Sequence, residues 1–404
     1  MNGNEAPFDY GGTAAEADVN FKIWPSTGMR TGLVDADLLP YRTAFVMPDI
    51  KGMQAVSLVE NGHCKSIKET PQFEYALDSM CMTLNSWLRA AKCDSAILYS
   101  TNSASNFRLK IAYSKEYKGS RPTEKPVFFD ELKDALPELG CIASNGNEAD
   151  DMLSIEAWRR YNEDVKPSGA LAGSLVHKEF CSTVTISTDK DSTITPTYNY
   201  NPDTRKEQWV TLIGDLIPKY KKGEVTKYKQ VGTGVFFKKG EFAGQEKTKR
   251  VKDGTTPSTA ITDLKGSGLK FFYAQLIMGD PTDGYDGIPN KGATAAFNEL
   301  APCTTESDLY YKVLKMYQEH YGKGTHWCEN YRGTEEYRVK HFNETGSNPP
   351  DWDFWKGKGA YLTAYDRMLE QGRMAHMQIF DGEIWRSHSG RVIYGDDKEF
   401  WHGR

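Results

Sequence analysis

Apolar residues recur along this chain with two alternating periods, and the alternation predicts an α/β fold. Gly32-Leu33-Val34-Asp35-Ala36-Asp37 is a short apolar strand broken by acids. Residues 73–92 (FEYALDSMCMTLNSWLRAAK) carry apolar positions at helical spacing, and residues 95–99 read as a second strand. A third strand is expected at 141–143, a helix at 148–161 (EADDMLSIEAWRRY), and a β-branched fourth strand at 183–187. Strands separated by helices argue for a central, mainly parallel sheet whose ligands gather at the carboxyl ends of its strands. Residues 269–278 resume the apolar period and run into a turn-dense segment, 279–293, followed by helical-looking 294–300. Beyond residue 300 the chain is aromatic-rich and reads as helical.

Three stretches lack a clean period. Residues 1–30 are polar and Gly-rich, which predicts a poorly ordered tail. Residues 101–137 turn basic, with Lys110, Lys115, Lys118, Arg121 and Lys125 among aromatics, and read as a surface excursion. The stretch from about 205 to 258 has Gly-rich turn signals and reads as a hairpin-rich insertion. Between Lys219 and Lys252, 11 Lys/Arg stand against 3 acids, a local +8 hidden in a chain of net charge −5.

Composition only narrows the class. Hydrophobic residues at 39% argue against wholesale disorder. No window approaches a membrane span, and the first residues lack a basic-then-apolar leader, so no membrane partner and no signal peptide are expected. Seven scattered cysteines without a C-x-x-C pair point to a reducing, cytoplasmic setting and no structural zinc. A P-loop and a complete G-x-G-x-x-G after a strand are both missing.

Acids stand where strand ends are expected. Four clusters occur: Asp35/Asp37, Glu148/Asp150/Asp151, Asp189/Asp191 and Asp280/Asp283. Among 55 acids a single D-x-D arises by chance and usually lies on a solvated face. Placement raises the joint weight, because the first and third clusters follow apolar strands. Glu148 and Asp151 share a helix face, while Asp150 lies about 100° from Asp151. Carboxylates converging without basic partners repel unless divalent cations neutralise them. Oxygen-only ligands select Mg²⁺ or Mn²⁺ over zinc. Two such ions about 4 Å apart hydrolyse phosphodiesters, and the basic segments would hold the polyanion. Gly287-Ile288-Pro289-Asn290-Lys291-Gly292 has the logic of a helix-hairpin-helix turn that offers backbone N–H groups to phosphate, although an ordinary αα turn has the same spacing.

Six motifs in order then carry a resemblance: Asn106-Phe107-Arg108, Glu116-Tyr117-Lys118-Gly119-Ser120-Arg121-Pro122, Glu148-Ala149-Asp150-Asp151, Ser187-Thr188-Asp189-Lys190-Asp191, Gly279-Asp280-Pro281-Thr282-Asp283 and the Gly-Ile-Pro turn. Together they resemble the structure-specific 5′-nuclease (flap endonuclease) family, and within it the 5′→3′ exonucleases of T-odd bacteriophages, as does the late run Gln371-Gly372-Arg373-Met374-Ala375. The resemblance spans roughly residues 31–300, and more weakly 360–386.

It implies a PIN-like α/β nuclease domain over 31–275 with a helical arch near 103–137, then a helix-hairpin-helix element and helical C-terminal region over 276–404. Two or so Mg²⁺ or Mn²⁺ ions would be held by Asp35, Glu148, Asp150, Asp151, Asp189, Asp191, Asp280 and Asp283. Lys118 and Arg121 would stabilise the scissile phosphate. Arg108, Tyr117, Lys118 and Arg121 would contact nucleic acid, with Tyr117 stacking near the substrate's end. The turn containing Gly287, Ile288, Lys291 and Gly292 would track the duplex backbone, with a monovalent cation on its carbonyls. The implied activity is 5′→3′ exonuclease and flap endonuclease cleavage of duplex, nicked or flapped DNA with a free 5′ end, and of primer RNA, during DNA replication in a host cytoplasm if phage-encoded. One departure is Asn102, a neutral ligand where the family usually has an acid before the N-F-R stretch. It keeps open a catalytically weakened DNA-binding relative, and a related-fold ribonuclease stands as the other alternative.

Overall fold

Thr31–Asp35, the first apolar run, forms strand β1 in the middle of the sheet. The structure is a computed structural model describing residues 30–46, 49–102, 106–120, 125–386 and 392–393. The tail expected over 1–30 therefore lies, except for Arg30, outside the described residues. Leu33 and Val34 are fully buried, as in a strand covered on both faces. To one side of β1 run β2 (Ser95–Ser100) and β3 (Ile142–Ala143), to the other β4 (Thr183–Ile186) and β5 (Tyr198–Asn201), all parallel. β6 (Lys206–Trp209) closes that edge antiparallel to β5. The order β3-β2-β1-β4-β5-β6 is the mainly parallel α/β sheet expected from the sequence, with β5 and β6 added. Its chain progression reverses between β1 and β4, the place where open α/β sheets bind ligands.

α1 (Leu38–Val46) and α2 (Asp49–Glu60) follow β1, and α3 (Pro71–Ala90) precedes β2. α3 starts where Thr70 Oγ1 accepts the Phe73 N–H at 3.2 Å and Pro71 supplies a first residue that needs no N–H partner. Phe73, Met80, Leu84, Trp87 and Leu88 bury one face of it. Each large apolar side chain there contributes about 1.5–3 kcal/mol of transfer free energy. Gly32 permits the approach, since a Cβ there would meet Leu88 Cδ2 at 2.6 Å.

The next segment corrects an expectation. α4 (Arg108–Ile111) and α5 (Phe129–Ala135) are short, the described residues between them form turns, and residues 103–105 and 121–124 of the expected arch lie outside the described residues. The segment is no surface excursion: Phe107, Ile111 and Tyr117 join the core of the C-terminal half, while Phe128 and Leu132 join the core beneath α3.

α6 (Ala149–Arg160) and α7 (Leu175–Phe180) lead into β4. After β6, β7 (Leu216–Tyr220) pairs antiparallel with β10 (Ile261–Gly266). Between them the basic insertion forms a separate two-stranded ribbon, β8 (Glu224–Phe236) with β9 (Glu246–Pro257). α8 (Gly268–Met278) is buried on nearly every side, as its largely apolar sequence, interrupted by Lys270 and Gln275, requires. It packs against α9 (Ala293–Leu300), α10 (Glu306–Tyr321) and, past α11 (Glu335–Thr345) and α12 (Trp352–Trp355), α13 (Ala364–Ala375). The C-terminal region is not purely helical: β11 (His326–Glu329) pairs with β12 (Gly359–Leu362), and β13 (Glu383–Ile384) with β14 (Val392–Ile393). The boundary drawn at 276 falls inside α8, and one apolar cluster runs from Phe107 to Trp385. No helix among the described residues is long and apolar enough to cross a membrane.

Candidate metal centre

β1 ends in Asp35, β4 leads to Asp189 and α6 starts after Glu148, so three elements deliver acids to one edge of the sheet. Asp35, Asp37, Glu148, Asp150 and Asp189 line a cleft of about 400 Å³, with Lys118 in its wall. Burial, then the charges of Asp37 and Asp189, push the Asp35 carboxyl from 3.8 up to about 8. Burial, then Asp35 and Asp189, also drive Asp150 well above the usual range. Asp150 Oδ1 is buried with no hydrogen-bond partner among the described residues. An orphaned carboxylate oxygen facing other carboxylates is the deficit that a divalent cation removes.

A second group adjoins the first. Asp191, Asp280 and Asp283 each bring a carboxylate oxygen within 4.8 Å of the others. Burial and the neighbouring Asp189 raise Asp191, whose Oδ1 accepts from Gln275 Nε2. For Asp280 burial acts upward but the ion pair with Lys190 outweighs it, leaving the carboxyl below its ordinary value. Asp189 links the groups: its Oδ1 accepts the Asp191 N–H at 2.9 Å, and its charge acts on Asp35 and Asp150. All the expected acids except Asp151 thus fall into two adjoining sets of oxygen donors that fit a hard divalent cation.

Asp151 is a correction. Arg108, with no exposed surface, places Nη1 2.5 Å and Nη2 2.8 Å from its two oxygens, which also accept the N–H groups of Glu148 and Gln378 at 3.1 and 3.3 Å. Arg108 further donates to the carbonyls of Met374 (3.0 Å) and His376 (2.7 Å). Paired with Arg108 and absent from the cleft lining, Asp151 is a poor metal ligand, and the enclosed Arg108 cannot contact nucleic acid. The pair instead fastens α6 to the end of α13. The 100° turn between neighbouring helical positions explains the split, since Asp150 lines the cleft and Asp151 turns to Arg108.

Glu148 gathers donors: Lys118 Nζ at 2.6 Å and Asn106 Nδ2 at 2.7 Å on one oxygen, Tyr117 OH at 2.8 Å and Arg108 at 3.5 Å on the other. Burial would raise this carboxyl, but Arg108 and Lys118 prevail and hold it below the usual range. Tyr117 is spent on Glu148 and buried, which corrects its expected stacking on a substrate end. Lys118 does reach the cleft. Its backbone sits at φ 56°, a left-handed conformation costing about 1–2 kcal/mol in a non-glycine residue, and its N–H donates to the Asp283 carbonyl at 3.0 Å. Arg121 lies outside the described residues.

The Gly-Ile-Pro turn joins α8 to α9, but only its far end is open. A Cβ on Gly287, at φ 66°, would lie 2.3 Å from Gly279 N, and its own N–H donates to Gln371 Oε1 at 3.0 Å. Ile288 is buried and its N–H bonds to Ile277 O at 2.9 Å. The expectation that these two offer N–H groups to phosphate is corrected, because both are consumed inside the fold. Lys291 and Gly292 are exposed at the start of α9. The late Gln371 to Ala375 run is likewise a brace, capping Gly287 and receiving Arg108.

Sequence reasoning passed over Asp37 as a ligand, together with Lys133 (3.6 Å from Asp37 Oδ1), Asn106 and Lys190. Asp37 and Lys190 had a local signal in their D-x-D and D-K-D settings. Asn106 opens the N-F-R stretch, but nothing local tied it to Glu148, and Lys133 had no signal at all, since both partners are distant in sequence.

A comparison with protein-family models finds no match, and a comparison with curated proteins finds none either. Solved structures to which the chain is similar include a T5 protein co-crystallised with metal ions (18% identity, 69% of this chain and 78% of that one, TM-score 0.37). Others are a lysine-to-alanine mutant of the T5 5′-exonuclease (15%, 71% and 82%, TM-score 0.32) and a bacteriophage T5 flap endonuclease in a pseudo-enzyme–product complex with DNA and metal ions (16%, 72% and 85%, TM-score 0.35). At these scores the likeness assigns no residue a role.

Proposed function

We propose that this chain is a divalent-metal-dependent nuclease that hydrolyses phosphodiester bonds at the 5′ ends of duplex, nicked or flapped DNA, and of primer RNA. The observation that carries it is the joining of two carboxylate sets, Asp35/Glu148/Asp150/Asp189 and Asp191/Asp280/Asp283, beside the Lys118 amine. These carboxylates would hold Mg²⁺ or Mn²⁺, which would supply water activation and stabilisation of the leaving oxygen. The chain's residues supply the rest. Glu148, kept ionised by Arg108 and Lys118, holds the Lys118 ammonium at the cleft wall, from which it can transfer to a non-bridging phosphate oxygen. Asp35 and Asp150, which burial biases toward the protonated form, release protons as the cation binds. Lys291 and Gly292 offer the open edge of α9 to the duplex backbone, and Arg121, by the motif it belongs to, joins Lys118 at the phosphate.

The test is cleavage of a 5′-labelled flap and a nicked duplex in Mg²⁺ or Mn²⁺, beside an Asp189→Asn/Asp191→Asn variant prepared identically. The wild type should release short 5′-labelled products, and the variant should lose roughly a thousandfold or more in rate. Tight binding by both proteins without any product would remove the catalytic assignment.

A further inference from the structure

Among the described residues, β8 and β9 are hydrogen-bonded to each other and to no other strand. Their register sets Tyr228 opposite Lys252 and Gln230 opposite Arg250 on one face, with Lys229 opposite Val251 and Val231 opposite Lys249 on the other. Every residue from 227 to 255 is exposed, including Tyr228, Phe236 and Phe242, each more than half accessible. An isolated two-stranded hairpin is marginal in water, so a ribbon that leaves three aromatics in solvent is built to be covered.

Charge selects the covering partner. Residues 224–257 carry 8 Lys/Arg and 4 acids, a net +4, whereas the remaining 42 Lys/Arg and 51 acids leave the rest of the chain at −9. Among the described residues only Lys229 of those eight cations meets a carboxylate, Asp253 at 2.9 Å. Arg250 lies 4.6 Å over the Tyr228 ring and Lys247 5.0 Å over the Phe237 ring, so cations and aromatic faces are presented together. At the tip Lys238 and Lys239 stand between Phe237 and Phe242, whose rings are 6.0 Å apart. Strands of 13 and 12 residues reach roughly 40 Å at about 3.3 Å per residue. A two-stranded ribbon fits the major groove of B-DNA, about 12 Å wide.

We propose that the β8–β9 ribbon is a duplex-binding arm, its cations following the phosphates along a groove and its tip aromatics contacting sugars and bases. It rests on the function proposed above only in taking nucleic acid as the ligand. The closing experiment measures anisotropy of a fluorescent duplex in EDTA across a potassium chloride series. Wild type is compared with Lys247→Gln/Lys249→Gln/Arg250→Gln/Lys252→Gln and with a control bearing Gln at the exposed Lys65, Lys92, Lys166 and Lys323. The ribbon variant should bind roughly tenfold or more weakly and lose about 2–4 from the slope of log K against log salt, at about 0.9 per phosphate contact. The control should keep the wild-type slope. A second variant joins Gly223 to Ser258, whose 2.9 Å backbone bond closes the ribbon's base, and should reproduce the loss with an unchanged melting temperature. Wild-type affinity and slope in the ribbon variants, or an equal loss in the control, overturns the arm. Because binding is read without metal, the two readings separate: a wild type that binds through the ribbon yet cuts nothing refutes only the nuclease, and flap cleavage with unaltered ribbon-variant binding refutes only the arm.

Discussion

The acidic cleft and the basic ribbon treat charge in opposite ways. Around the cleft much of the charge is answered within the fold: Arg108 by Asp151 behind it, Lys118 by Glu148 in its wall, and Lys190 by Asp280 beside it. What remains unanswered is an excess of carboxylate, where burial first and the neighbouring acids second displace Asp35, Asp150 and Asp191 upward. Along the ribbon the charge stays in water, where desolvation costs nothing and folding gains little from it. A buried charge binds the fold to its partner, whereas an exposed one is held in reserve for a ligand. Substitutions in the two regions should therefore separate stability from affinity.

The largest contrast is expected at Arg108. Arg108→Met strands the Asp151 carboxylate in the interior and removes a donor from the carbonyls of Met374 and His376, which should cost about 3–5 kcal/mol in urea unfolding. Arg108→Met/Asp151→Leu should recover part of that loss, because no lone charge is left behind. The four-cation ribbon variant should stay within about 1 kcal/mol of wild type. Equal unfolding free energies for Arg108→Met and wild type would erase the distinction between the two regions.

Lys118 tests the comparison from the side of rate. Lys118→Ala should lower single-turnover flap cleavage about 10²–10³-fold while duplex affinity stays within roughly twofold, since one cation contributes little to binding but stands where charge develops. The ribbon variant should do the reverse, losing affinity with its maximal rate preserved. An unaltered single-turnover rate for Lys118→Ala would remove that amine from the reaction.

Local patterns exposed some of this architecture and could not expose the rest. The helical stripe of α3 and the acids after β1 and β4 were legible because period and strand ends are short-range properties. Helical geometry even separated Asp150 from Asp151, though not which of the two faced the cleft. Arg108 was illegible because its partners lie 43 residues away at Asp151 and 266 away at Met374, and an arginine beside aromatics reads as surface. β6 (KEQW) has no apolar alternation to announce it, and β5 (YNYN) alternates tyrosine with asparagine over only four residues. The ribbon was recognisable as hairpin-like but not as one long unit, since Gly232 and Gly234 imitate turns. In the structure they fall where the register shifts between Gly232 and Phe236, a bulge inside a continuing ladder.

The smallest effect is expected from pH, and it probes the unanswered carboxylate directly. Asp35 is raised from 3.8 to about 8, chiefly by burial and then by Asp37 and Asp189, so between those values the folded state holds a proton that the unfolded chain has released. Its contribution to stability is fully present below about 4 and is lost as pH rises through about 8. In EDTA the melting temperature should thus decline from pH 5 to 8.5, and Asp35→Asn should flatten the decline. Saturating Mn²⁺ should raise the melting temperature more at pH 8.5 than at pH 5, because at low pH the cation must displace protons to bind. The ribbon variant contains the same cleft and should follow the wild-type curve. A wild-type melting temperature in EDTA that is flat with pH, or a Mn²⁺ effect of equal size at both ends, would mean that these acids repel one another too little to need a cation.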